Sequence, residues 1–164
     1  MKKMYLTIIL IVVLLLLFFS IGGFPLIIEH DKKQIINTKT YNSLRDIKDL
    51  EYNKIVLIID LNDWNNLPKK LAKRRVLICT DNNILEQFKN YFVFEQTVGD
   101  MATVTSKIVI FNNKEIVFKS NIIIDEHTIG IQGEKTGNAR LLYTKEMYEL
   151  FVQFKPCRKF ILNI

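Results

Sequence analysis

Three apolar runs in this 164-residue chain close on an aspartate: Asp60, Asp81 and Asp125. In open α/β sheets, ligands gather beyond the carboxyl ends of parallel strands. There Asp60, Asp63 and Asp81 would converge on a hard divalent cation such as magnesium, which prefers carboxylate oxygens. The same residues have a plainer use. Short Asp and Asn side chains end strands and cap helices by accepting free backbone N–H groups, and Asp81 stands where a cap is needed. Capping alone accounts for the pattern, so the metal role stands as the alternative.

Other reactive residues are sparse. Gly130-Ile131-Gln132-Gly133-Glu134-Lys135-Thr136-Gly137 approaches a phosphate loop, but Glu134 separates Gly133 from Lys135 and a strand follows. A carboxylate inside the cradle repels phosphate, so the stretch reads as a glycine-rich loop between strands. Cys79 lies in an apolar strand and reads as a small buried hydrophobe. Cys157 is flanked by Lys155, Arg158 and Lys159, which favour a thiolate, yet an inert thiol is the simpler reading. Sequence does not place the two cysteines together or apart. His30 and His127 have no ligand spacing around them, so no structural zinc site and no cofactor is expected.

A basic cluster, Lys69, Lys70, Lys73, Arg74 and Arg75, is expected to crowd one helix end, where cations complement the helix dipole. It also suits an acidic partner or anionic headgroups. Trp64, between Asp63 and Asn65, is a candidate recognition residue beside a simpler packing role. Lys and Arg number 23 against 17 Asp and Glu, a net +6, but no aromatic-basic interleaving points to nucleic acid.

Those residues must be carried by something, and the strongest signal lies ahead of them. From Met4 to Ile28 there is no charge, and the centre is apolar all round a helix. A spanning helix needs about 20 such residues. The segment 1–28 is therefore expected to be a signal-anchor transmembrane helix in contact with the lipid bilayer through residues 4–28. Lys2 and Lys3 start it, and the N-terminus is expected in the cytoplasm with the domain outside. Cleavage near Ser20-Ile21-Gly22, releasing a secreted domain, is the alternative.

Residues 29–42 read as a tether, and residues 43–164 as one small α/β domain. Ser43 would cap a short helix through Leu50. The continuous run Ile55-Val56-Leu57-Ile58-Ile59 predicts a strand buried on both faces, and Val76-Leu77-Ile78-Cys79 a second, parallel to it. Asn62–Arg75 is read as a helix broken near Pro68, and Ile84–Phe92 as another that puts Leu85, Phe88 and Phe92 on one face. Lys107–Phe111 and Glu115–Lys119 predict a hairpin around Asn112-Asn113-Lys114. Thr144 would cap a helix carrying Met147, Leu150, Phe151 and Phe154, and Phe160–Leu162 would form a last strand.

That is a mixed sheet, βαβα and then an antiparallel hairpin. Over residues 55–154 the order resembles thioredoxin-like domains, with Val109-Ile110-Phe111 and Val117-Phe118 in the place of their paired third and fourth strands. The family's Cys-x-x-Cys is replaced by Asp60-Leu61-Asn62-Asp63-Trp64, and Met101-Ala102-Thr103 supplies no proline, so dithiol chemistry does not follow. The expected function is a non-enzymatic, membrane-tethered interaction module with a protein partner at the membrane. The alternatives are an anchored divalent-metal enzyme and a redox-inactive thioredoxin-like binding domain.

Overall fold

Alternating β-branched runs dominate the second half of the chain, and they build a sheet rather than a helical bundle. The computed structural model describes residues 2–20, 25–29, 51–71, 74–97, 105–133, 137–159 and 161–164. Helix α1 spans Lys2–Ser20 and strand β1 Leu26–Ile28. Then come β2 Lys54–Ile58, β3 Val76–Cys79, α2 Asn82–Tyr91, β4 Phe94–Gln96, β5 Lys107–Asn112 and β6 Glu115–Ile124. The chain ends with β7 Ile129–Gly133, β8 Gly137–Leu141, α3 Thr144–Phe151, β9 Lys155–Pro156 and β10 Ile161–Asn163. Eight strands form one sheet in the order β4-β8-β7-β6-β5-β2-β3-β9, and β1 and β10 form a separate two-stranded ribbon. The architecture is α/β with an antiparallel main sheet.

The expected parallel pair is therefore corrected. β2 and β3 run antiparallel, Ile55 facing Cys79 and Ile58 facing Val76. The continuous apolar run reports two-sided burial, which a sheet covered on both faces imposes whatever its strand direction. Without that parallel pair, the thioredoxin-like order is lost.

The connection between β2 and β3 departs too. Over the described residues 62–71 of the expected helix there is a 3₁₀ turn, Leu61–Asp63, followed by tight turns in which Leu71 N–H donates to Pro68 C=O. Asp60, Asn62, Asp63, Asn65, Asn66 and Pro68 crowd this stretch. Their side chains compete for backbone groups and the ring removes a donor, so a regular helix loses.

The hairpin forms as predicted. Asn113 takes φ 55° in the two-residue turn, a left-handed conformation that Asn tolerates. Asn53 holds it, donating from Nδ2 to Asn113 Oδ1 at 2.8 Å and accepting from Asn113 N–H at 3.0 Å. A bulge between Ile110 and Phe111 leaves Val117 as the extra residue. It allows both Phe118 and Ile116 to face inward, on opposite sides of the sheet.

The two faces close differently. On one, α2 and α3 bury Leu85, Phe88, Met147, Leu150 and Phe151 against Ile55, Leu57, Ile108, Ile110 and Ile131. Phe88 and Phe92 stack at 4.4 Å, and Phe92 meets Phe94 edge-on at 4.7 Å. On the other, Val56, Val76, Val109 and Phe111 pack under Ile27, Leu162 and Ile164 of the ribbon. Thr144 proves to be the first helical residue, its hydroxyl donating to Leu141 C=O at 3.2 Å, and Tyr143 occupies the cap.

Two boundaries move at the amino end. Leu26–Ile28, expected inside the apolar helix, are strand. Glu29, expected in the tether, is fixed to the sheet by Lys107 and, at 3.1 Å, by Lys119. Residues 30–50, with His30 and the helix expected after Ser43, lie outside the described residues. Among the described residues no helix is long and apolar enough to cross a membrane. α1 has nineteen residues and opens on two lysines, so its charge-free run is about 25 Å against a hydrocarbon core of about 30 Å.

Candidate functional site

The three strand-end aspartates perform the same task. Asp60 Oδ1 accepts Asn62 N–H at 2.9 Å, Asp81 Oδ1 accepts Asn83 N–H at 2.9 Å, and Asp125 Oδ1 accepts His127 and Thr128 N–H at 2.8 Å each. Each fixes the turn that follows its strand. Asp63 accepts from the buried Ser106 through both its hydroxyl and its backbone N–H. The Ser106 hydroxyl in turn accepts Asp60 N–H at 3.0 Å. Asp60 and Asp63 thus share one turn, bolted to the start of β5.

Asp81 stands elsewhere. Because β2 and β3 are antiparallel, it lies at the opposite end of the sheet, beyond the Ile55–Cys79 pair. Three residue steps of strand already separate the two ends by about 10 Å, whereas ligands sit 2.0–2.6 Å from a magnesium or calcium ion. Among the described residues no group of three His, Cys, Asp or Glu side chains is placed to hold a metal.

The cysteines also separate. Cys79 points into the helix-side core and Cys157 into the ribbon-side core, so the sheet lies between their side chains. Both are free thiols, and burial pushes the Cys79 thiol up from its ordinary pKa. Cys157 is 2% exposed despite its basic neighbours, out of reach of the solvent that a nucleophilic thiolate would need.

What the fold does gather is a mixed-charge groove beside α3, with lysines in slight excess. The turn carrying Lys69 and Lys70 meets Lys145, Tyr148 and Glu149 of α3 and His127 of the β6–β7 turn around an open depression of about 320 Å³. Lys70 reaches Glu149 at 3.7 Å, with both groups well exposed. Tyr148 donates its hydroxyl to Thr128 C=O at 3.1 Å, and burial raises its pKa, keeping it a neutral donor. Pro68, Leu71 and Val152 give the depression an apolar floor. Its three ammonium groups stand against two carboxylates, Glu126 and Glu149, so the depression carries a small excess of positive charge beside its apolar floor, which suits a weakly held acidic segment of another molecule. The described lining pairs no nucleophile with a base.

The remaining predicted residues divide. Trp64 is half-buried and packs against the helix-side core. Arg74 and Arg75 are partly covered, and the Arg75 carbonyl accepts Ile59 N–H at 2.8 Å. Lys73 lies outside the described residues. Sequence reasoning found Lys69 and Lys70 but missed Lys145, Tyr148 and His127 as their neighbours. Only the antiparallel return of β7 brings that turn over α3.

No family model matches the chain, and no curated protein or solved structure matches it.

Proposed function

We propose that the chain is a membrane-anchored interaction module: α1 holds it in a bilayer and the sheet domain presents the Lys69–Lys70–Lys145 groove to an acidic partner. The observation that carries this reading is the exposure of α1. Its side chains from Met4 to Leu17, apolar except for Thr7 and the Tyr5 hydroxyl, stand open on every side, including Leu6 at 72% and Leu15 at 51%. Monomeric proteins in water rarely leave so large an apolar surface uncovered. A bilayer covers it without a specific partner, and the helix satisfies its own backbone groups there. A run slightly shorter than the hydrocarbon core is accommodated by local thinning and by Lys3 reaching its ammonium toward the headgroups.

Tethering concentrates the groove near neighbours in the same membrane, so weak contacts suffice. Lys2 and Lys3 with the terminal amine nearly balance Lys32, Lys33 and Lys39 across the run, and the basic start directly before it supports an N-terminus in the cytoplasm with the sheet domain outside. Two measurements test the reading. Alkaline carbonate should leave the full chain in the membrane pellet, and release into the wash overturns the anchor. Crosslinking in native membranes should capture a partner that the triple variant Lys69→Glu, Lys70→Glu, Lys145→Glu loses. Equal capture by that variant overturns the groove.

A further inference from the structure

We propose that the outward face of the β1–β10 ribbon is a second membrane contact, lying on the anionic lipid surface beside α1; the proposal rests on the anchor reading above. The ribbon's register sorts its side chains. β1 and β10 are parallel, with Leu26 beside Ile161, Ile27 beside Leu162 and Ile28 beside Asn163. Ile27, Leu162 and Ile164 turn inward onto Val56, Val109 and Phe111. Leu26, Ile28 and Ile161 turn outward and are 59%, 36% and 52% exposed. A ribbon washed by water alternates apolar in with polar out. Here only Asn163 interrupts an outward face that is otherwise aliphatic.

Chain length limits how far that face lies from the helix end. Six residue steps separate Ser20, the last residue of α1, from Leu26. At a full extension of about 3.5 Å per residue, the ribbon lies within about 20 Å of the helix end. A helix end at the headgroups therefore holds the ribbon at or next to them.

Charge agrees with this placement. Lys54, Lys107 and Lys119 rise from the face of the sheet that the ribbon covers, and Lys159 comes near Lys54. Glu29 answers Lys107 and Lys119, and Lys54 lies 3.9 Å over the Phe111 ring. With Lys107 and Lys119 answered by Glu29, the exposed Arg158 and Lys159 just ahead of β10 are the cations that meet phosphate on an anionic bilayer while the aliphatic side chains enter the interface. The groove beside α3 lies across the sheet and stays open to a partner.

The test uses the full chain reconstituted in vesicles containing phosphatidylglycerol, with and without brominated acyl chains. Ile161→Trp should lose about half its added fluorescence to the brominated lipid, since an interfacial indole sits at the headgroup boundary. Trp64, on the helix side, serves as the internal reference. Leu142→Trp, at an exposed apolar position after β8, should show no loss, which removes the indole's own affinity as an explanation. Replacing phosphatidylglycerol with phosphatidylcholine should weaken the quenching. Carbonate-resistant vesicles with an unquenched Ile161→Trp overturn the ribbon contact and leave the anchor standing. An indole shielded from aqueous iodide but not quenched by lipid assigns the face to a second copy and also overturns it. Loss of the full chain to the carbonate wash overturns both readings.

Discussion

One face of the sheet is closed by helices drawn from the chain between its strands, the other by segments near the chain's two ends. The helix face is filled with aromatics: Phe88 stacks on Phe92 and approaches Phe151 at 6.3 Å. The ribbon face is smaller and wholly aliphatic apart from Phe111 and Cys157. α2 follows β3, and α3 follows β8, after turns of only a few residues. The ribbon, by contrast, must bring Leu26 to Ile161 across most of the sequence. The first closure is largely local and forms with the sheet. The second has a larger closure-entropy cost and is expected to form last, on a surface that already exists.

The comparison breaks most visibly at Phe88. The side chain is completely buried between α2, α3 and the sheet, and Tyr52 meets it edge-on at 6.3 Å. Phe88→Ala should destabilise the full chain by about 3–5 kcal/mol, a loss that matches transfer plus cavity. Urea unfolding in detergent micelles, followed by Trp64 fluorescence, measures it. Because Phe88 joins both helices, the loss should appear as one cooperative shift. A separate early phase would show that the helices are independent of the sheet.

On the other face Leu162→Ala should cost about 2 kcal/mol, the low end for leucine because the cluster is small and its edge is open. Its readout is regional. Amide exchange should accelerate in β1 and β10 while β6 and β7 keep their protection, since the ribbon can open without the main sheet. Uniform acceleration across both faces would mean that the ribbon is part of the cooperative core.

This difference also explains what was legible in the sequence. Ile55–Ile59, Val76–Cys79 and Lys107–Lys119 declare themselves as strands because short β-branched runs bounded by turn residues admit little else. Leu85, Phe88 and Phe92 declare a helix face by spacing alone, and all three are buried. The direction of β3 is not written locally: a run buried on both faces looks the same in either orientation, so the parallel assignment failed. Of the ribbon, only β10 was legible, as the last strand expected at Phe160–Leu162 and found at Ile161–Asn163; its pairing with β1 was not. Two three-residue strands at opposite ends of the chain have no shared local pattern, and Leu26–Ile28 merged with the apolar helix before them. At the candidate site the capping role of Asp60, Asp81 and Asp125 was readable from residue type. The groove was not, because His127, Tyr148 and Lys70 meet only through tertiary packing.

The helix face can be sharpened at its entrance. Asp81 accepts Asn83 N–H at 2.9 Å and Ile84 N–H at 3.4 Å, satisfying donors that the first turn leaves free. Asp81→Ala should cost about 1 kcal/mol, and Asp81→Asn much less, because an amide oxygen also caps. The same urea measurement separates the two. A metal role for Asp81 predicts instead that magnesium stabilises the native chain and not the alanine variant. Magnesium is expected to leave both midpoints unchanged.

The smallest effect belongs to the ribbon face and is read by pH. The Lys107 hydrogen bond, helped by Lys119, holds the Glu29 carboxyl below its ordinary value of 4.5 against the opposing effect of its partial burial. A depressed folded pKa gives stability that is complete above the unfolded value and lost as pH falls through the folded one. Glu29 is 40% exposed, so solvent screening limits the pair to less than about 1 kcal/mol. Native chain and Glu29→Gln should therefore differ slightly in urea midpoint above about pH 5 and converge by about pH 3. Salt at about 1 M should narrow the gap at neutral pH, because the Debye length there is about 3 Å. A difference that persists undiminished at pH 3 would assign the effect to lost packing rather than charge. The Glu29 clamp between ribbon and sheet would then be steric.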